Sequence, residues 1–172
     1  LTLNDTLARF VSRNPYSVAA RTHWELRPGA GRIPRAAAPD IRNRSYSITA
    51  HVEIPAEGAA GVLVAQGDWC GGYALYIRDG YLNHDYNFVN RHYLVRSDRP
   101  VPAGSCTLSF EVRKTGPFQG EGALYINGEL CGTVEMPQTY RAQSSFIGLE
   151  IGQAPKPSVG DFEAPYPFTG TL

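Results

Sequence analysis

No stretch of this chain approaches the ~20 consecutive apolar residues that a membrane-spanning helix requires, and residues 1–20 lack the basic, apolar and small-residue order of a secretory signal. Excess charge of either sign is missing too. Sixteen Lys and Arg balance sixteen Asp and Glu, so no global field draws the chain to nucleic acid, anionic lipid or a polyacidic substrate. Neither nucleic acid nor a membrane is expected as a partner. Cysteine is scarce and odd in number: Cys70, Cys106 and Cys131 form neither a disulfide framework nor a zinc-ligand spacing, which favours free thiols and a reducing compartment and leaves localisation otherwise open. Cys106 and Cys131 fall in predicted strands and could pair only if those strands were neighbours. A Gly-rich phosphate loop and a Ser/His/Asp order with a nucleophile elbow are also lacking.

What the chain does have is 18 Gly, 13 Pro, 10 Tyr and 7 Phe in 172 residues, a composition for many short strands and turns in one domain. The fair helix candidate is "TLARFVSR", capped by Asn4 or Asp5 and ended by Pro15, with Leu7, Phe10 and Val11 at helical spacing. Next comes a Pro- and Gly-rich arm through "RPGAGRIPRAAAPD", so residues 1–40 read as helix and arm and 41–172 as the folded domain. From Tyr46 the period is two. "YSITAHVEI" puts Tyr46, Ile48, Ala50, Val52 and Ile54 on one face, and "GVLVAQG" follows as its expected antiparallel partner. Asp79-Gly80 and Asn127-Gly128 each mark a tight hairpin. In the first, Tyr73, Leu75 and Ile77 face the core if Ala74, Tyr76 and Arg78 face outward. Strands at this even spacing predict two antiparallel sheets packed face to face: an all-β jelly-roll sandwich.

The order of features carries more than a fold class. "APDIRNRSYSITAHVEIP", "GAAGVLVAQGDWCGGYALYIRDGYLNHDYN", "VPAGSCTLSFEVR", "GALYINGEL" and "PYPFTGTL" together resemble the C-terminal region of bacterial arylsulfatases over residues 36–172. The resemblance implies a concanavalin A-like or laminin G-like sandwich that accompanies a catalytic domain. The catalytic motif of that family, C/S-x-P-x-R, is not matched at Cys70, Cys106 or Cys131, and the family's glycine-arginine-aspartate segment stands here as Gly152-Gln153-Ala154. The chain by itself is therefore expected to be non-catalytic, with an upstream sulfatase domain or another subunit as partner. Leu1 in place of an initiator Met, and an end at "TGTL", read as an excised piece whose last strand is cut short. The alternative expectation is a stand-alone carbohydrate-binding module with a glycan as partner.

Candidate ligand-binding residues cluster after Gly67. Trp69, Tyr76 and Tyr86 offer rings for stacking on a sugar, while Asn83, Asp85, Asn87 and Arg91 offer hydrogen bonds, with Asn90 nearby. Trp69, on the "GDWCGG" loop, is the member expected to be most exposed. Asp79, His84, Asp85 and His92 are the nearest approach to a metal or acid–base set, although alternation sends His84 and Asp85 to opposite faces. No cofactor is expected in this chain beyond calcium, for which Asp68 and Asp161 are the candidate ligands, as loop oxygens at a sandwich rim. Arg32, Arg35, Arg42 and Arg44 form a spaced set in the arm that could meet a sulfated ligand, against the plainer reading of surface charge.

Overall fold

A computed structural model describes residues 21–141, 145, 147–154 and 156–172. The helix expected over "TLARFVSR" lies outside the described residues. Among the described residues, nine strands make two antiparallel sheets. β1 (Tyr46–Ile54), β6 (Gly104–Gly116), β7 (Gln119–Ile126) and β8 (Glu129–Met136) form one sheet in the order β1-β6-β7-β8. β2 (Gly61–Asp68), β3 (Gly71–Arg78), β4 (Tyr81–Phe88), β5 (Arg91–Pro100) and β9 (Leu149–Ile151) form the other in the order β5-β4-β3-β2-β9. The sandwich expected from the alternation is the fold observed.

Both glycine hairpins close as the sequence predicts. Asp79 and Gly80 have φ of 54° and 78°, and Asn127 and Gly128 have 53° and 81°, the paired positive values that match a two-residue turn to the twist of its strands. The expected pairing of β1 with β2 does not occur. β1 pairs along its length with β6, from Tyr46 opposite Val112 to Ile54 opposite Gly104, and residues 55–60 carry the chain across to the other sheet. The two strands have different needs. β1 alternates, with Ser47, Thr49, His51 and Glu53 in solvent, and suits a sheet covered on one face; β2 is buried on both.

Between the sheets lies the main core, centred on Leu63, Leu75, Ile77, Leu82, Leu108, Phe110 and Leu124. A smaller second core covers the outer face of the five-stranded sheet. There Val62, Ala65, Ala74 and Tyr76 pack under Ala154, Val159, Phe162 and Tyr166 of the C-terminal crossing, with the Tyr76 and Phe162 rings 4.8 Å apart. The arm also attaches to this sheet. Ile33 exchanges two backbone hydrogen bonds with Leu149, and Arg32 pairs with Glu150 at 2.6 Å. At the far end Thr171 does the same with Glu53 on the edge of β1. Cys106 and Cys131 are buried free thiols, kept apart because β7 runs between β6 and β8.

Among the described residues three side chains at the main core, Tyr46, His84 and Tyr93, hold buried polar atoms without a hydrogen-bond partner, and His84 is the one fully buried. His84 stacks on Phe110 of the opposite sheet with ring centroids 3.5 Å apart, and neither ring nitrogen finds a hydrogen bond among the described residues. Burial lowers its pKa from 6.5 to about 3. Above pH 6.5 the imidazole is neutral folded or unfolded; below it only the unfolded chain takes up the proton, so the native state loses about 1.4 kcal/mol per pH unit until about pH 3. A His84→Leu variant, of similar side-chain volume, is expected to lack this component. Urea unfolding at pH 7 and pH 5 checks it: the stability drop of the native chain should exceed that of the variant by about 2 kcal/mol.

Candidate functional site

Two hairpin tips meet at one end of the five-stranded sheet. Gly71 opposes Phe88 in the β3–β4 register, which sets the β2–β3 connection, Trp69-Cys70, beside the β4–β5 connection, Val89-Asn90. The neck of the first hairpin requires glycine. Gly67 and Gly72 face each other, and a Cβ on Gly72 would stand 1.9 Å from the Gln66 carbonyl oxygen. The second tip is strained. Val89 has φ of 51° and Asn90 of 64°, and a β-branched residue adopts the left-handed region only when its surroundings impose it.

Asn87 imposes much of it. Its buried carboxamide donates to the carbonyls of Trp69 at 3.0 Å and Val159 at 3.1 Å, and accepts from the Asn90 amide at 2.8 Å. The Tyr140 hydroxyl donates to the Asn87 carbonyl and accepts from the Val89 amide. Asp68 accepts from the Cys70 amide and the Ser145 hydroxyl, each at 2.8 Å. Above this locked base, Trp69 and Val89 stand 61% and 63% exposed. A second polar knot lies further along the outer face. Asp85, fully buried, accepts from His92 Nδ1 at 2.8 Å and from the Asp161 amide at 3.1 Å. Burial pushes its carboxyl above the ordinary value, with His92 opposing.

The expected ligand shelf is thus largely internal. Of its members, Trp69 and Arg91 are at the surface, whereas Tyr76, Asn83, Asp85, Tyr86 and Asn87 are buried. Alternation assigned the faces correctly, His84 and Tyr86 to one and Asn83, Asp85 and Asn87 to the other, but the face taken for solvent lies beneath the C-terminal crossing. The acid–base set divides accordingly: Asp85 and His92 come together, His84 points into the main core, and Asp79 sits in its turn beside Arg78. Asp68 and Asp161 are not brought together. Asp68 ends β2 next to Gly71, the first residue of β3, while the Asp161 carboxylate turns to Arg78, the last. In the arm, Arg42 makes a bidentate pair with Asp40, Arg44 approaches the same carboxylate, Arg32 holds Glu150 and Arg35 donates to the Ser145 carbonyl. The arginines form no free basic stripe.

Behind the neck, on the core side, a pocket of about 40 Å³ opens between Pro39, Asp40, Ile41 and Arg42 of the arm and Gln66, Gly67, Gly71, Tyr73, Tyr86, Tyr140 and Ser145. Its back wall is the middle of one cross-strand row: Gln66, Tyr73 and Tyr86 are successive partners across β2, β3 and β4, and Leu149 of β9 and Tyr93 of β5 extend the row beyond the pocket. Gln66, Val89 and Tyr140 were not among the candidates drawn from the sequence. Gln66 carries a usable signal, as a polar residue on the core phase of an apolar strand; Val89 and Tyr140 carry none, because their roles depend on contacts made across the fold.

No family model and no curated protein matches the chain. Among solved structures, the mouse laminin alpha1 chain, domains LG4-5, is similar at a TM-score of 0.58 and 16% identity over 84% of this chain and 38% of that one. The chain spans well under half the length of that structure. The fold defined by the two sheets is a laminin G-like sandwich of the concanavalin A type.

The Asn87 junction makes a direct expectation. Asn87→Ala leaves the buried Val159 carbonyl, the part-buried Trp69 carbonyl and the Asn90 amide without their partner, a loss of about 2–4 kcal/mol. Hydrogen exchange should quicken at residues 69–70 and 89–91 while that of β6 and β7 is unchanged relative to global stability; uniform acceleration would mean that Asn87 does not hold the tips in particular.

Proposed function

We propose that this chain is a non-catalytic recognition module that binds a glycan at the rim formed by the two hairpin tips, with Trp69 as the stacking platform. The observation that carries the reading is the contrast at Trp69. Its indole is largely in solvent, yet its backbone carbonyl is fixed by a buried amide. A ring carried on a fixed backbone loses less entropy when a sugar face covers it than one carried on a mobile loop. Asn90 and Arg91 supply polar groups beside the ring, and Val89 extends the apolar surface.

Glycan-array binding of the whole chain tests this. Trp69→Ala is expected to weaken retained glycans at least tenfold, in line with the loss of a stacked aromatic anchor, without moving the thermal midpoint, since the indole packs on little. Undiminished binding by a folded Trp69→Ala chain would remove the site.

A second reading is supported by the resemblance of residues 36–172 to the C-terminal region of bacterial arylsulfatases: the sandwich would support a sulfatase domain or a subunit interface. In that case an immunoblot from the native source should show this sequence in a polypeptide several times larger than 18.8 kDa. A band at 18.8 kDa would leave the module acting alone.

A further inference from the structure

The pocket behind the neck carries an inference that rests on the glycan reading and names the class of sugar. Two of its polar side chains are nine-tenths buried yet make no hydrogen bond among the described residues: Gln66, 7% exposed, and Tyr73, 4% exposed. They are direct cross-strand partners, so their side chains share one face of the sheet and lie side by side. Neither is among the side chains whose polar atoms are sealed from solvent, so the carboxamide and the hydroxyl reach the open space of the pocket and are free to bond a group that enters it.

Size, charge and hydrogen-bonding chemistry narrow what that is. About 40 Å³ corresponds to roughly three water-sized groups at ~10–15 Å³ each, enough for an acetyl group and too little for a pyranose ring. Asp40 and Arg42, the charged residues that line the pocket, neutralise each other through two hydrogen bonds of 2.7 and 2.8 Å, so the lining itself carries no net charge. The Gln66 carboxamide presents both a donor and an acceptor, the complement of another amide. Ile41 and the rings of Tyr86 and Tyr140 supply an apolar wall for a methyl group. Trp69 is two residues from both Gly67 and Gly71, which line the same pocket; its Cα is therefore within about 7 Å of theirs.

We propose that this pocket seats the N-acetyl group of an acetamido sugar whose ring is held at Trp69. The acetamide pairs with Gln66 and the Tyr73 hydroxyl, and its methyl lies against the tyrosine wall.

Titration of the whole chain with methyl N-acetyl-β-D-glucosaminide and with methyl β-D-glucoside, followed by side-chain amide and backbone NMR signals, tests the assignment. The acetamido glycoside is expected to bind at least tenfold more tightly, the difference a matched buried amide and methyl contribute, and to shift the Gln66 side-chain amide. Gln66→Leu should bring it down to the level of the glucoside, and Tyr73→Phe should reduce the preference about threefold, half of such a free-energy difference. Trp69→Ala should weaken both sugars. Equal affinity for the two, both lost in Trp69→Ala, overturns the acetamido assignment and leaves the glycan reading standing. Failure to bind any glycan overturns both. If Gln66→Leu does not fold, Tyr73→Phe decides, and an unchanged preference in that variant overturns the proposal.

Discussion

A sheet whose central strands carry apolar groups on both faces cannot remain one half of a two-layer sandwich. Val62, Ala65, Ala74 and Tyr76 point away from the main core, and Tyr76 alone would expose a ring of at least ~150 Å², worth about 4 kcal/mol at ~25 cal/mol per Å². The C-terminal crossing removes that exposure by laying Val159, Phe162 and Tyr166 over the sheet. The buried polar residues of β4 follow from the same constraint. Once covered, Asn87 and Asp85 lose water and must find protein partners, and the partners at hand are the backbone groups of the crossing itself, Val159 and Asp161.

This coupling ties the cover to the rim. Asn87 bonds the crossing with one amide hydrogen and the Trp69 carbonyl with the other, while its oxygen sets the Asn90 turn. The left-handed backbone at Val89 is therefore maintained from beneath, through Asn87 and Tyr140. Strain at the tip and an indole facing solvent thus sit above a hydrogen-bonded network that is itself satisfied. His84 offers the contrasting case. Its unpartnered imidazole faces Phe110 in the closed core, away from both the rim and the Asp85–His92 knot.

The laminin G-like architecture is shared at 16% identity, a level at which the strand plan persists while side chains differ. Function has to be argued from the site. The proposed site draws on the hairpin neck glycines, the row of Gln66, Tyr73 and Tyr86, and the arm that brings Asp40 and Arg42 to the opening. Each belongs to a different part of the chain, and only the sandwich sets them together.

Both glycine turns and the alternating faces of β1, β3 and β4 were legible in the sequence, because period-two alternation and positive-φ dipeptides are local signals that tertiary contacts rarely override. Trp69 was legible as an exposed residue for the same reason: it sits in a two-residue connection with no strand to bury it. The partner of β1 was not legible, since both the neighbour in sequence and β6 offer complementary alternation; burial on two faces, which sends β2 to the other sheet, decides between them. Nor was the fate of Tyr76, Asn83, Asp85 and Asn87. Alternation states which side of a sheet a residue takes, but whether that side meets water depends on a segment some seventy residues further along. The sequence by itself determined the strands, their turns and their faces through local backbone chemistry; the tertiary structure alone decided which faces were covered, because burial is a property of what packs against a strand and not of the strand.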